Sequence, residues 1–204
     1  MLLQRVQQAL GGADKLAGVK DLVYHAEVAV ETPGAVMKVK QTNSFLAPTT
    51  LRQELELPFG KQTVYSDGAT GWMATLQGMM AIQPAVLKQA RGEAFRLMPR
   101  LAVSDRQEGT AINLSGPDVV DIAAKDGDRA KLELDEKTGL PLRVTYTEGA
   151  GEVTQEYSDW RDVSGIKLPF KWIIQQGGKK FATVTVQDYK LNSGLTAEAL
   201  AKKP

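Results

Sequence analysis

The sequence predicts a mostly β protein: a single antiparallel curved sheet of about ten to eleven strands forming a half-open barrel, with an N-terminal helix and an internal helical lid. Three observations predict it. Apolar and charged residues alternate with period two through most of the chain, turn-forming residues interrupt the alternation roughly every 8 to 12 residues, and the period becomes helical in two places. The 204 residues, 43% hydrophobic and 24% charged, fit one domain spanning 1–204, since β barrels of roughly 200 to 250 residues fold as one unit.

Leu2, Leu3, Val6, Ala9 and Leu10 fall on one helical stripe that Gly11 and Gly12 close. This short amphipathic helix needs a surface to dock on. From Val19 the period is two: Leu22, Tyr24, Ala26, Val28 and Val30 lie on one face, and Asp21, His25, Glu27 and Glu31 on the other. Pro33 and Gly34 turn the chain into a second strand carrying Met37, Val39 and Phe45. A third places Leu51, Leu55 and Leu57 opposite Arg52, Glu54 and Glu56. Val64 to Ser66 and Trp72 to Leu76 read as a hairpin around Asp67-Gly68, a pair that favours a two-residue turn.

The helical period returns behind Pro84, with Val86, Leu87, Ala90, Ala94, Leu97 and Met98 on one stripe. Gly92 weakens this helix by up to ~1 kcal/mol relative to alanine. The second half alternates again: 111–114, 119–124, 130–134, 142–146, 153–163, 168–174 and 181–191 are strands. Asp126 to Asp128, Lys137 to Gly139, Gly149 to Gly151 and Gly177-Gly178 separate some of them, and 196–200 has the length of one helical turn.

One apolar face per strand means one buried side to the sheet, and a sheet of that size curls. A barrel that wide is not readily filled by its own side chains, which leaves an apolar cavity under the helical lid. The lining expected from the apolar faces is Leu22, Tyr24, Val28 and Leu55 in the first strands, and Trp72, Leu76 and Met80 in the methionine-rich stretch. Leu87 and Met98 would line it from the lid, and Leu142, Phe170 and Trp172 from the later strands. The same methionines and tryptophans also read as ordinary core filler, and both readings stand.

Catalytic patterns are missing. His25, the one histidine, falls on a polar strand face, whereas a Ser-His-Asp triad needs a buried partner and a two-histidine zinc site needs another imidazole. Glu54 and Glu56 stand about 7 Å apart by strand rise, but alternation makes them a solvated face. Asp126, Asp128 and Asp135 do not form a calcium loop. Neither catalytic residues nor a metal or other cofactor is expected. A net charge of +1 gives no field for nucleic acid, and no stretch approaches the ~18 apolar residues of a membrane span.

The order of short motifs resembles the LolA-like, outer-membrane lipoprotein-sorting proteins. Leu51-Arg52-Gln53-Glu54 precedes Val64-Tyr65-Ser66-Asp67-Gly68 and Gly71-Trp72-Met73. Later come Leu134-Asp135 with Thr138-Gly139-Leu140-Pro141, then Tyr157-Ser158-Asp159-Trp160, then Gly165-Ile166-Lys167-Leu168-Pro169. The likeness spans about Leu22 to Leu191. It implies an incomplete barrel with a lid over a cavity for acyl chains, and a periplasmic or cell-envelope protein that binds a lipid, an acyl chain or a lipoprotein without catalysing a reaction. Where the resembled carriers have an arginine before a proline ahead of the SDG hairpin, which helps hold the lid closed, this chain has Ala47-Pro48. That departure weighs against lipoprotein shuttling and leaves generic lipid or lipopeptide binding. Similar domains occur appended to insulinase-like peptidases, so the alternative is an accessory interaction domain of a larger envelope peptidase. The start MLLQRVQQALGG has no signal-peptide pattern, so by itself it fits either a cytosolic protein or one whose leader or preceding domain lies outside this chain; the envelope location that the resemblance implies goes with the second.

Overall fold

A computed structural model of the chain describes residues 2–149 and 151–204. Thirteen strands hydrogen-bond in the order β6-β5-β4-β3-β2-β1-β13-β12-β11-β10-β9-β8-β7, an unclosed antiparallel meander in which the first and last strands are neighbours. The strand not foreseen is β6 (Gly78–Ala81), whose uncharged, methionine-rich residues carry no period-two pattern. The chain separates into two compact units, Met1–Gly18 with Arg96–Phe181, and Val19–Phe95 with Ala182–Pro204.

The first unit holds α1 (Leu2–Leu10), α2 (Ala13–Ala17), α4 (Met98–Leu101) and strands β7 (Ala111–Gly116), β8 (Val119–Ala123), β9 (Arg129–Leu134), β10 (Pro141–Glu148), β11 (Gly151–Val163) and β12 (Ile166–Gln176). Helix α1 packs on β8 and β12, and α2 on α4. Leu3, Val6 and Leu10 are therefore fully buried together with Leu101, Val120, Ile122, Leu132, Val144 and Leu168. Gln7, on the same helix, is buried but satisfied: its amide donates to the Ala102 carbonyl at 3.0 Å and to Asp105 at 2.9 Å. Arg5 reaches Asp118 at 2.8 Å and donates to the carbonyls of Asp135 and Glu136, pinning α1 to two strand turns.

At Gly11 a Cβ would stand 2.2 Å from the Gly165 carbonyl oxygen, and φ is +117°. Only glycine fits there, because the chain leaving α1 runs against the β11–β12 turn. That turn and the next, Gly177-Gly178, have two consecutive residues at positive φ, the backbone twist that two-residue hairpins require. In the expected 149–151 turn Glu148 pairs with Gly151, while Ala150 lies outside the described residues.

The internal helix differs from expectation. Instead of continuing to Met98 it stops at Arg96, α3 being Pro84–Arg96, and restarts as α4 after Leu97 (φ −54°, ψ 127°). Pro99 is the reason: in an unbroken helix its ring would collide with the carbonyl four residues earlier.

The second unit contains β1 (Asp21–Thr32), β2 (Ala35–Leu46), β3 (Thr50–Leu57), β4 (Gly60–Ser66), β5 (Gly71–Thr75), β6, most of α3 and of β13 (Lys179–Leu191), and α5 (Ala197–Ala201). Strand β1 pairs with β2 along its whole length. Its long alternation therefore sets the register: Leu22, Tyr24, Ala26 and Val28 are buried and stand opposite Phe45, Asn43, Gln41 and Val39. The expected hairpin around Asp67 forms, but with a four-residue loop. The Asp67 carboxylate accepts from the Ala69 and Thr70 amides, each at 2.7 Å, and closes it. At the chain's end, Asp21 accepts from the amides of Ser193, Gly194 and Leu195 and from the Ser193 hydroxyl. Burial works against ionisation of Asp21, yet these bonds outweigh it and hold the carboxyl below its ordinary range.

Candidate functional site

The registers determine which residues share a face. In the second unit Leu22 is opposite Phe45, which is opposite Leu51; the same face continues through Gln53, Leu55 and Leu57 on β3, Gln62 and Val64 on β4, Met73 on β5 and Met80 on β6. Burial falls steadily along it. The β1 and β2 positions are buried, Leu55, Val64 and Met73 are half-buried, and Met80 is 49% exposed. The result is an apolar slope that opens toward the β6 edge. Leu76, in the β5–β6 turn, is 75% exposed and leans on the β3–β4 turn, where a Cβ at Gly60 would meet its Cδ1 at 2.5 Å.

Besides Gln53 and Gln62, a hydrogen-bonded polar pair lies at the buried end of this face. The Asn43 amide nitrogen donates to the Tyr24 hydroxyl, and the Asn43 carbonyl oxygen is buried without a hydrogen-bond partner among the described residues. Burial pushes the Tyr24 phenol well above its ordinary value; the Asn43 bond opposes this and the nearby charge of Glu93 on α3 adds to it. Tyr24 thus stays a neutral phenol at any physiological pH.

Of the expected lining residues, Leu22, Tyr24, Val28, Leu55 and Met80 come together on this slope. Trp72 does not. Its register partner is Tyr65, which faces away from the slope, and the two rings stack at 5.7 Å. There they form a small core with Leu200 of α5, and Arg52 lies 5.5 Å from the Trp72 ring centroid. The Arg52 guanidinium also donates to the carbonyls of Leu200 (2.9 Å) and Lys202 (2.5 Å), tying the chain's end over that side. Leu87, on α3, is half-buried.

The remaining expected positions belong to the first unit. Met98, Phe170 and Trp172 are buried. Leu142 is 39% exposed because the β9–β10 register shifts between Pro141 and Arg143, a bulge that leaves Leu142 without a partner on β9.

The charged positions behave as alternation expects. His25 meets Asp188 at 2.9 Å, Arg52 meets Glu54 at 3.0 Å and Lys61 meets Glu56 at 3.3 Å, all on the face opposite the slope. A recess of about 350 Å³ over β1–β4 is lined by His25, Lys40, Thr42, Glu54, Glu56, Lys61 and Thr63. Of the expected apolar lining it includes only Leu55; Ala26, Gln41, Gln62 and Gln187 complete it. Among the described residues no group of three or more His, Asp or Glu side chains is placed to hold a metal, and no helix is long and apolar enough to cross a membrane.

Sequence reasoning missed Arg96. Its side chain is only 7% exposed, and its guanidinium stacks on the Tyr146 ring at 3.5 Å from the centroid. Tyr146 accepts from Gln155 at 3.2 Å, and Gln155 accepts from Tyr157 at 2.6 Å. Tyr157 in turn packs its ring 6.2 Å from Trp172. These residues share one face of β10–β12.

No family model matches the sequence, and no curated protein matches it. Solved structures do. A LolA superfamily protein from Nitrosomonas europaea aligns with a TM-score of 0.64 at 13% identity over 97% of each chain. A DUF1329 family protein from Desulfovibrio piger aligns at 0.63 and 12% identity over 92% of each chain. A putative outer membrane lipoprotein-sorting protein domain from Vibrio parahaemolyticus aligns at 0.58 and 12% identity, covering 98% of this chain and 94% of that one. At such identities the likeness is one of fold. Strand order, helix placement and these alignments together make the chain a protein of LolA-like fold.

Proposed function

We propose that this chain is a non-enzymatic binding protein of the bacterial cell envelope that holds the acyl chain of a lipid or lipopeptide against the apolar face of its sheet. The observation that carries the reading is the slope from Leu22 and Val28 to Leu55, Met73 and Met80. A monomeric protein whose only need is a core ends its apolar face where burial ends; here the face goes on, uncharged, into solvent. Methionines at the open end suit a surface that adapts to varied apolar shapes. The named relatives of the fold support the same reading by analogy, including its envelope location.

Native mass spectrometry of the purified protein, with lipid extraction, tests it, followed by titration with an environment-sensitive fatty-acid probe. A stoichiometric acyl species, or probe binding weakened at least tenfold by Leu55→Asp, is the expected result. A protein that comes off empty and does not bind the probe rules the reading out, and fits an accessory interaction domain instead.

A further inference from the structure

Strand β6 ends the sheet order, so among the described residues no strand pairs with its outer side. The hydrogen-bond phase of the β5–β6 hairpin determines which groups face that side. Ile82 donates to the Gly71 carbonyl at 3.2 Å, and Met80 and Gly78 stand opposite Met73 and Thr75. Opposite residues of an antiparallel pair alternate between exchanging hydrogen bonds and not exchanging them. Gly78, Met80 and Ile82 therefore bond to β5, and the N–H and C=O groups of Met79 and Ala81 point to the open edge. Edge strands are ordinarily guarded by a charge, a proline or a covering element. Here all four β6 residues are exposed, Met79 at 50% and Met80 at 49%, and no charged residue stands between Asp67 and Lys88, the longest such interval in the chain.

An uncharged edge offers no charge by which to select a foreign strand, but it fits itself. Two β6 strands set antiparallel about a twofold axis perpendicular to the sheet, with Met80 opposite its counterpart, bring Met79 opposite Ala81 in both halves. Each of these pairs exchanges both hydrogen bonds, every outward group of Met79 and Ala81 is used, and like faces meet across the join. A shift of one residue would set Met79 against Met80, which lie on opposite faces; a shift of two would leave Ala81 against the turn residue Gln77. We infer that β6 is a self-pairing edge through which two copies of this chain form a transient twofold dimer. Contact confined to Gly78–Ile82 makes a small interface, with a dissociation constant between about 1 µM and 1 mM. The dimer is independent of the acyl-binding reading, because Met79 and Ala81 stand off the slope.

The test is sedimentation velocity of the full chain at concentrations spanning that range. Wild-type protein is expected to pass from monomer to dimer and no further. Ala81→Pro removes an outward N–H and none that bonds β5, and Met79→Lys places a charge on the edge; each should weaken dimerisation at least tenfold. Should the proline variant not fold, the lysine at an exposed position answers the same question. The chain has no cysteine, so single cysteines read the register. Met80→Cys puts two thiols on residues about 4.5 Å apart at Cα, within disulfide reach, and copper-phenanthroline should cross-link it at least tenfold faster than Met79→Cys, whose counterpart lies diagonally about 7 to 8 Å away. A wild type that stays monomeric, a dimer that persists in both Ala81→Pro and Met79→Lys, or equal cross-linking of the two cysteine variants overturns the inference. Growth beyond the dimer also overturns it, since β6 would then be pairing head-to-tail with the other free edge, β7, of the next copy. Acyl binding is unaffected by any of these results.

Discussion

The two compact units treat the same kind of sheet differently. In the first, helices lie on the strands, and Leu3, Val6, Leu101, Leu132, Val144 and Leu168 are fully shut from solvent. In the second, burial is complete on β1 and part of β2 and then decays through Leu55 and Met73 to Met80. The first unit closes its apolar face at the middle strands and leaves Leu114, opposite the fully buried Val120, exposed on the edge strand β7, whereas in the second burial is lost gradually from β3 to β6. A closed core and a half-exposed apolar face thus occupy different stretches of one chain, and substitutions separate what each contributes to stability.

The largest contrast is between two leucines. Leu132→Ala in the first unit should cost about 2 to 5 kcal/mol, because a closed core cannot collapse onto the void. Leu55→Ala on the slope should cost about 1 kcal/mol or less, since its side chain is already partly in water. Urea denaturation of the two variants measures this directly, and equal costs would erase the distinction.

Next in size is the support of the second unit's last turn. Asp21→Asn removes the charge from a carboxylate that accepts four hydrogen bonds, an expected loss of about 1.5 to 3 kcal/mol at neutral pH. The folded-state pKa is depressed, so this contribution is fully present above the ordinary carboxylate range and is lost as pH falls through the lower folded-state value. The gap between wild type and Asp21→Asn should thus be constant above about pH 4, the unfolded value, and close as pH falls from there through the lower folded-state value. A gap independent of pH would mean that the charge is irrelevant.

Gly11→Ala probes the first unit's tightest approach. With φ at +117° and the Gly165 oxygen in the way, the expected cost is about 1 to 3 kcal/mol. It should appear as faster hydrogen exchange in α1 and the β11–β12 turn, with β1–β3 unchanged. The smallest effect belongs to Lys61→Ala, which removes an exposed ion pair and should lower the unfolding free energy by no more than about 0.5 kcal/mol in the same urea titration.

Much of the architecture was legible because β1, β9 and β12 alternate cleanly, and alternation fixes a face once a strand's neighbours are known. The candidate lining was less legible for the same reason. Trp72 sits on a strand with apolar residues on both sides, Met73 one way and Trp72 and Ala74 the other. Only the pairing with Tyr65 decides between them, and register is not written in β5 itself. Leu142 sits at a bulge, where alternation slips by one residue. Arg96 left no trace because an arginine closing a helix reads as a solvated cation; its burial comes from Tyr146, fifty positions away in the chain. The break after α3 could have been read from Pro99.

The reversed orientation of Trp72 divides the protein's three indoles into separate optical reporters. Trp72 lies beneath the carboxy-terminal helix beside Arg52, so its emission follows the docking of residues 197–201 and is insensitive to what rests on the opposite side of the strand. Trp160 and Trp172 flank Tyr157 at 6.1 and 6.2 Å and respond to changes around that ring. Replacing Trp72 with phenylalanine therefore leaves a protein whose fluorescence speaks for the first unit alone, and a tag fused after Pro204 will be seen first by the residue that such a variant lacks.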